Sequence, residues 1–198
     1  MTARSLRDGP ITADELRAIL AALGEQGRED VEWSEAVSLP ETAEAFALEA
    51  IWVICNSGMK HSVARLIEGR VMAAIREGRP VSEAFGHKGK SAAMQTIWDG
   101  REGYFQGLLS ADDRLAFLES LPWIGAITKF HLAKNCGVDC AKPDVHLQRL
   151  AAFDNDDCQS LCARLAAATG YRVATVDLIL WRACATGVID SRAGVLKL

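Results

Sequence analysis

No stretch of this chain is apolar enough to cross a membrane. The two longest candidates are each interrupted, Phe46–Cys55 by Glu49 and Val173–Cys184 by Asp177 and Arg182, where a spanning helix needs roughly 20 clean residues. The opening MTARSLRDGP lacks the apolar core of a secretory signal, so a cytoplasmic location without membrane association is expected. Alternating strand-like runs bounded by turn residues are missing too, as are internal repeats and low-complexity tracts, which argues against a sheet protein, a solenoid and a disordered chain. Six cysteines in 198 residues are too few for a disulfide scaffold and read as reduced thiols. The spacings Cys136-x3-Cys140 and Cys158-x3-Cys162 lack a partner histidine and the tighter CxxC spacing of zinc loops, so neither metal nor cofactor is expected.

An overall excess of positive charge is also absent. The net charge of −4 speaks against a protein that coats nucleic acid indiscriminately. The distribution is uneven, however. Residues 1–50 carry eleven acids against four bases, leaving the remainder net positive, and Lys60–Lys90 holds seven bases against three acids. An acidic start beside a basic stretch fits a local phosphate-binding track, and it also fits solvated helix faces.

What is present is helical periodicity, in a chain whose 49% hydrophobic content suffices for a sizeable core. Thr12-Ala-Asp-Glu15 has capping-box spacing and opens a helix through Leu23, which Gly24 and Gly27 end before a Glu-rich loop. A second helix is expected from Pro40, broken at Asn56-Ser-Gly58, and a third over Val63–Arg76. Further helices are expected over Ser91–Trp98, from Asp113 to Leu121, over Cys158–Ala168 and over Ala174–Ala185. The turn Gly86-His-Lys-Gly-Lys90 leads into the fourth of these. The fold class is therefore all-α, taken as a single domain over 1–198.

One stretch concentrates the chemistry. Leu121-Pro-Trp-Ile-Gly125-Ala-Ile-Thr-Lys129 places a Pro-to-Gly turn between two helices. Gly125 frees the backbone there, and N–H groups opening the following helix suit a phosphate. After a short loop comes Asp144-Val-His146-Leu-Gln-Arg149, an acid at a helix start directly after Pro143. Asp at such a position is an ordinary N-cap.

In this order and spacing, Leu121, Pro122, Ile124, Gly125, Asp144, His146 and Arg149 resemble the helix-hairpin-helix DNA glycosylase superfamily. Asp-Val-His and Ile54-Cys-Asn-Ser57 are most similar to its 8-oxoguanine branch. The resemblance spans about residues 46–185, with 121–150 its specific part and the hairpin and catalytic segment at about 112–152. It implies two helical lobes and base-excision repair of double-stranded DNA carrying a damaged or modified base, with Asp144 as the catalytic carboxylate that stabilises an oxocarbenium ion and activates water. It further implies DNA contacts from Trp123, Gly125, Ile127, Lys129, Lys142 and Arg149. Asn56 and Met59 lie in a break that resembles the family's hole-filling loop, with His146 as a further pocket residue.

The family's lyase members carry a lysine two residues after the hairpin glycine. Ile127 stands at that position, so the resemblance implies a monofunctional, water-using enzyme. Lys129, Lys134 and Lys142 are nearby, expected to meet phosphate or solvent, a substitute nucleophile among them being the alternative. Trp123 replaces the family's first hairpin glycine, and its iron–sulfur cysteine signature is missing. Trp52, Trp98, Trp123 and Trp181 are candidate walls of a base pocket or else core residues. A monomer is expected. A non-catalytic DNA-binding module, or a related helical protein acting on hypermodified bases, is the competing reading.

Overall fold

The computed structural model describes residues 3–198 and contains eleven α-helices among them. They are α1 (Ala13–Ala36), α2 (Ala43–Asn56), α3 (His61–Arg76), α4 (Val81–Ala84), α5 (Lys88–Asp99) and α6 (Arg101–Ser110). There follow α7 (Arg114–Glu119), α8 (Thr128–Asn135), α9 (Val145–Phe153), α10 (Cys158–Thr169) and α11 (Val173–Thr186). The chain is thus mostly helical. Three short strands, β1 (Ala3–Ser5), β2 (Ile189–Asp190) and β3 (Val195–Lys197), form an antiparallel sheet in the order β1-β3-β2. The expectation of no strands is corrected by that sheet. Each strand has two or three residues, too few to alternate visibly.

Two compact units divide the chain, one built from its two ends (up to Val37 and from Asp139) and the other from Ser38–Val138. In the first, α1 packs on α11, and α10 and α9 pack against α11. Leu16 and Ile19 of α1 join Leu147, Leu161, Leu165, Val176, Ile179 and Leu180 in one buried cluster. Thr12 starts α1 as expected: its Oγ1 accepts from the Glu15 N–H, and the Glu15 carboxylate accepts from the Thr12 N–H. Gly24, with φ 62, interrupts the helical backbone, but the acidic segment beyond it is helix rather than loop. Its support is tertiary. Arg182 on α11 grips Asp30, and Arg172 Nη1 donates to the carbonyls of Ser34 and Val37 at 2.8 Å each.

In the second unit α2 is the central helix, packing on α3, α5, α6 and α8. Its residues from Ala50 to Cys55 are all buried, the pattern of a helix surrounded on every side. It begins at Ala43 rather than Pro40, because Thr42 Oγ1 accepts from the Ala45 N–H at 3.1 Å. Helix α5 starts three residues earlier than expected, taking Lys88–Lys90 into its first turn. Helix α6 was not foreseen; it buries Phe105 and Leu108 and presents no clean stripe. No helix among the described residues is long and apolar enough to cross a membrane.

Candidate functional site

The hairpin belongs to the Ser38–Val138 unit, between α7 and α8. Two buried side chains anchor it, Leu121 and Ile124, and a 3.1 Å bond from the Ile124 N–H to the Leu121 carbonyl closes the turn. Between those anchors Trp123 stands out, 45% exposed and with φ 65. That left-handed backbone costs a non-glycine residue about 1–2 kcal/mol. The conformation natural to glycine is therefore kept here by a tryptophan. Gly125, by contrast, has no positive φ, and a Cβ added there would meet nothing within 4 Å. The turn's demanding position is thus Trp123, which corrects the role first given to Gly125.

The Trp123 indole is pinned from one side. A Cβ at Gly89 would lie 2.4 Å from Trp123 Cζ3, so the ring occupies the space that glycine leaves. His87 meets the indole edge-on, centroids 5.3 Å apart at 81°, and itself stacks on Phe85. His87 and the first turn of α5 are in this way part of the hairpin's support, a link the sequence gives no hint of.

Helix α8 opens without a side-chain cap at Ile127, which is 47% exposed. Thr128 Oγ1 instead accepts from the Gly125 N–H at 2.7 Å. Of the N–H groups in the first turn of α8, that of Lys129 already donates to the Gly125 carbonyl at 3.0 Å, and the turn carries the positive end of the helix dipole. The Lys129 ammonium is engaged by Glu119 on α7 and lies 5.4 Å from the Phe130 ring centroid. A phosphate would have to compete for it.

Asn56 is the last residue of α2 and Met59 lies in the break before α3, its N–H donating to the Asn56 carbonyl at 3.2 Å. Sequence reasoning missed the residue that fixes this break. Lys90, only 5% exposed, drives its Nζ to within 2.5 Å of the Ser57 carbonyl at the end of α2. Burial holds its pKa below the usual lysine range. Of the tryptophans, Trp52 is buried beneath the Arg65 guanidinium, 3.7 Å from its ring centroid. Trp98 lines a cavity of about 810 Å³ together with Arg79, Phe85, Lys88 and Gln95.

Asp144 belongs to the other unit, with Lys142, His146 and Arg149. Its Oδ1 accepts from the backbone N–H groups of His146 (2.8 Å) and Leu147 (3.0 Å), capping α9. Both cap bonds fall on Oδ1, leaving Oδ2 outside the cap. The His146 imidazole does not turn to the carboxylate. Its Nδ1 lies 2.9 Å from the Oγ of buried Ser191, a partner 45 residues away. Cys184 and Cys158 also feel Asp144: burial, then that carboxylate, pushes their thiols up to about 12 and about 11. Among the described residues no three metal-ligating side chains converge.

No family model, curated protein or solved structure significantly matches this chain.

Proposed function

We propose that the chain is a monofunctional DNA glycosylase of the helix-hairpin-helix type, hydrolysing the N-glycosidic bond of a flipped damaged or modified base. The observation that carries the reading is the Asp144 carboxylate. One oxygen is spent on two backbone N–H groups at the head of α9 and the other is left outside the cap. A carboxylate fixed in this way presents an oriented negative charge. Bond cleavage builds oxocarbenium character on the deoxyribose, which such a charge stabilises.

In the proposed reaction Oδ2 orients a water. Its oxygen bonds to the anomeric carbon as the base departs with the glycosidic electron pair, and the water's proton goes ultimately to the leaving base. The uncapped start of α8 behind the hairpin provides N–H donors suited to a backbone phosphate. Flipping supplies the base to the site. Ile127 offers no amine, so no Schiff-base lyase step is assigned to it.

Strand cleavage of labelled duplexes tests the reading, each duplex carrying 8-oxoguanine, uracil, 5-hydroxymethyluracil, hypoxanthine or an alkylpurine. Breaks that need alkali and fall by roughly 10²-fold or more in Asp144→Asn are expected. Alkali-independent breaks, or full activity in that variant, would refute the mechanism.

A further inference from the structure

Trp123 is costly to the fold and contributes little to its core. Its backbone lies at φ 65, a value glycine adopts freely and tryptophan does not. Its ring is 45% exposed, so about half of the largest side chain in the hairpin faces water. Gly89 and His87 nevertheless fix the ring's position. A side chain that is exposed and held still on a strained backbone is preorganised for contact with something outside the molecule.

The chemistry of that contact follows from what surrounds the indole. Only Ile127 accompanies it as a large exposed apolar residue of the hairpin. Two such side chains fall far short of the roughly 800 Å² that each partner buries in a stable protein interface. The first turn of α5, which holds Gly89, also carries Lys88, whereas Lys90 is engaged by the Ser57 carbonyl, Arg65 by Glu68 and Arg79 by Glu77. An isolated rigid aromatic with a lysine at hand suits a nucleobase attached to a phosphate backbone, because every base has a π face. In a paired duplex that face is covered by neighbouring bases. It is open only where a base has left the stack.

We infer that Trp123 stacks on an unpaired nucleobase, so that the hairpin favours DNA that is single-stranded or locally unpaired over intact duplex. This rests on reading the chain as a DNA-binding protein, and it goes beyond a phosphate clamp, which would be indifferent to pairing.

The test measures binding of the full chain to three fluorescein-labelled oligonucleotides by anisotropy. One is a single strand, one its perfect duplex, and one a duplex with a single unpaired central nucleotide. Wild type is compared with Trp123→Gly, Trp123→Phe and Gly89→Ala, each checked by thermal melting. Trp123→Gly relieves the φ 65 backbone, so its melting temperature should not fall below that of wild type. It should weaken binding to the single strand and the unpaired duplex about tenfold while leaving the perfect duplex unchanged. Trp123→Phe should keep most of the affinity, and Gly89→Ala should lose it by displacing the ring. Equal loss on all three DNAs, or no loss on any, would overturn the stacking role while leaving the glycosylase reading standing. A wild-type chain that binds none of them would overturn both.

Discussion

The guanidinium of Arg182 holds both carboxylate oxygens of Asp30, Nε to Oδ2 at 2.6 Å and Nη2 to Oδ1 at 3.0 Å. The two residues stand 152 positions apart, on α11 and on the acidic half of α1. Two parallel charge-assisted bonds make this one of the stronger polar links available to a side chain.

Asp30→Ala should therefore loosen the second half of α1. A loss of about 1–2 kcal/mol is expected for a partly exposed pair of this geometry. That corresponds to a melting temperature lower by roughly 3–6 °C. Because salt screens such pairs, the gap to wild type should narrow in about 1 M NaCl. Thermal melts at two salt concentrations check both points.

Asp144 does two separable jobs, and two substitutions part them. Asparagine caps helices as well as aspartate does. Asp144→Asn should melt close to wild type while losing excision. Asp144→Ala should lose excision and also about 1 kcal/mol of stability. Equal melting of the two variants would mean that the Oδ1 bonds to His146 and Leu147 contribute nothing.

Glu49 lies partly buried on α2, where Asn135 Nδ2 donates to it at 2.9 Å. Burial raises its carboxyl pKa, and the Asn135 bond only partly offsets this. A raised folded-state pKa means the folded chain holds this proton more tightly than the unfolded one does. Its stabilising contribution is then full below the ordinary carboxylate range and is lost as pH rises through the raised value. Glu49→Gln should accordingly melt higher than wild type at pH 7, with the advantage vanishing near pH 4. Melting curves across that interval decide it.

All six cysteines are free thiols and five are buried. Burial pushes Cys55 and Cys158 up to about 11 and Cys184 up to about 12. Cys136 moves in the same direction. At pH 8 these four should be alkylated roughly a hundredfold or more slower than a free thiol, since the thiolate is the reacting species. In denaturant all six should react at once, as mass spectrometry of alkylated protein would show.

The features legible in the sequence are those decided within a few residues. Thr12, Asp113 and Asp144 each cap the helix that follows, and cap chemistry spans three positions. Gly24 was readable as a break for the same reason. The acidic half of α1 was not, because its helical state depends on Arg172 and Arg182 far along the chain. The sheet was invisible likewise, with Ala3 paired to Lys197. In the candidate site, the hairpin order and the Asp144 cap could be read. The Ser191 partner of His146, the grip of Lys90 on Ser57 and the seat of Trp123 on Gly89 are through-space relations with no local signature.

The unit formed from both chain ends has a consequence for synthesis. Leu16 and Ile19 emerge from the ribosome well before α11, on which α1 packs. At about 5–20 residues per second, the 152 residues between Asp30 and Arg182 take roughly 8–30 s to appear. The Ser38–Val138 unit is complete well before then. During that interval the apolar stripe of α1 is nascent chain without its native cover, a target for holding chaperones and for aggregation. Slower translation through residues 139–198 would lengthen that exposure.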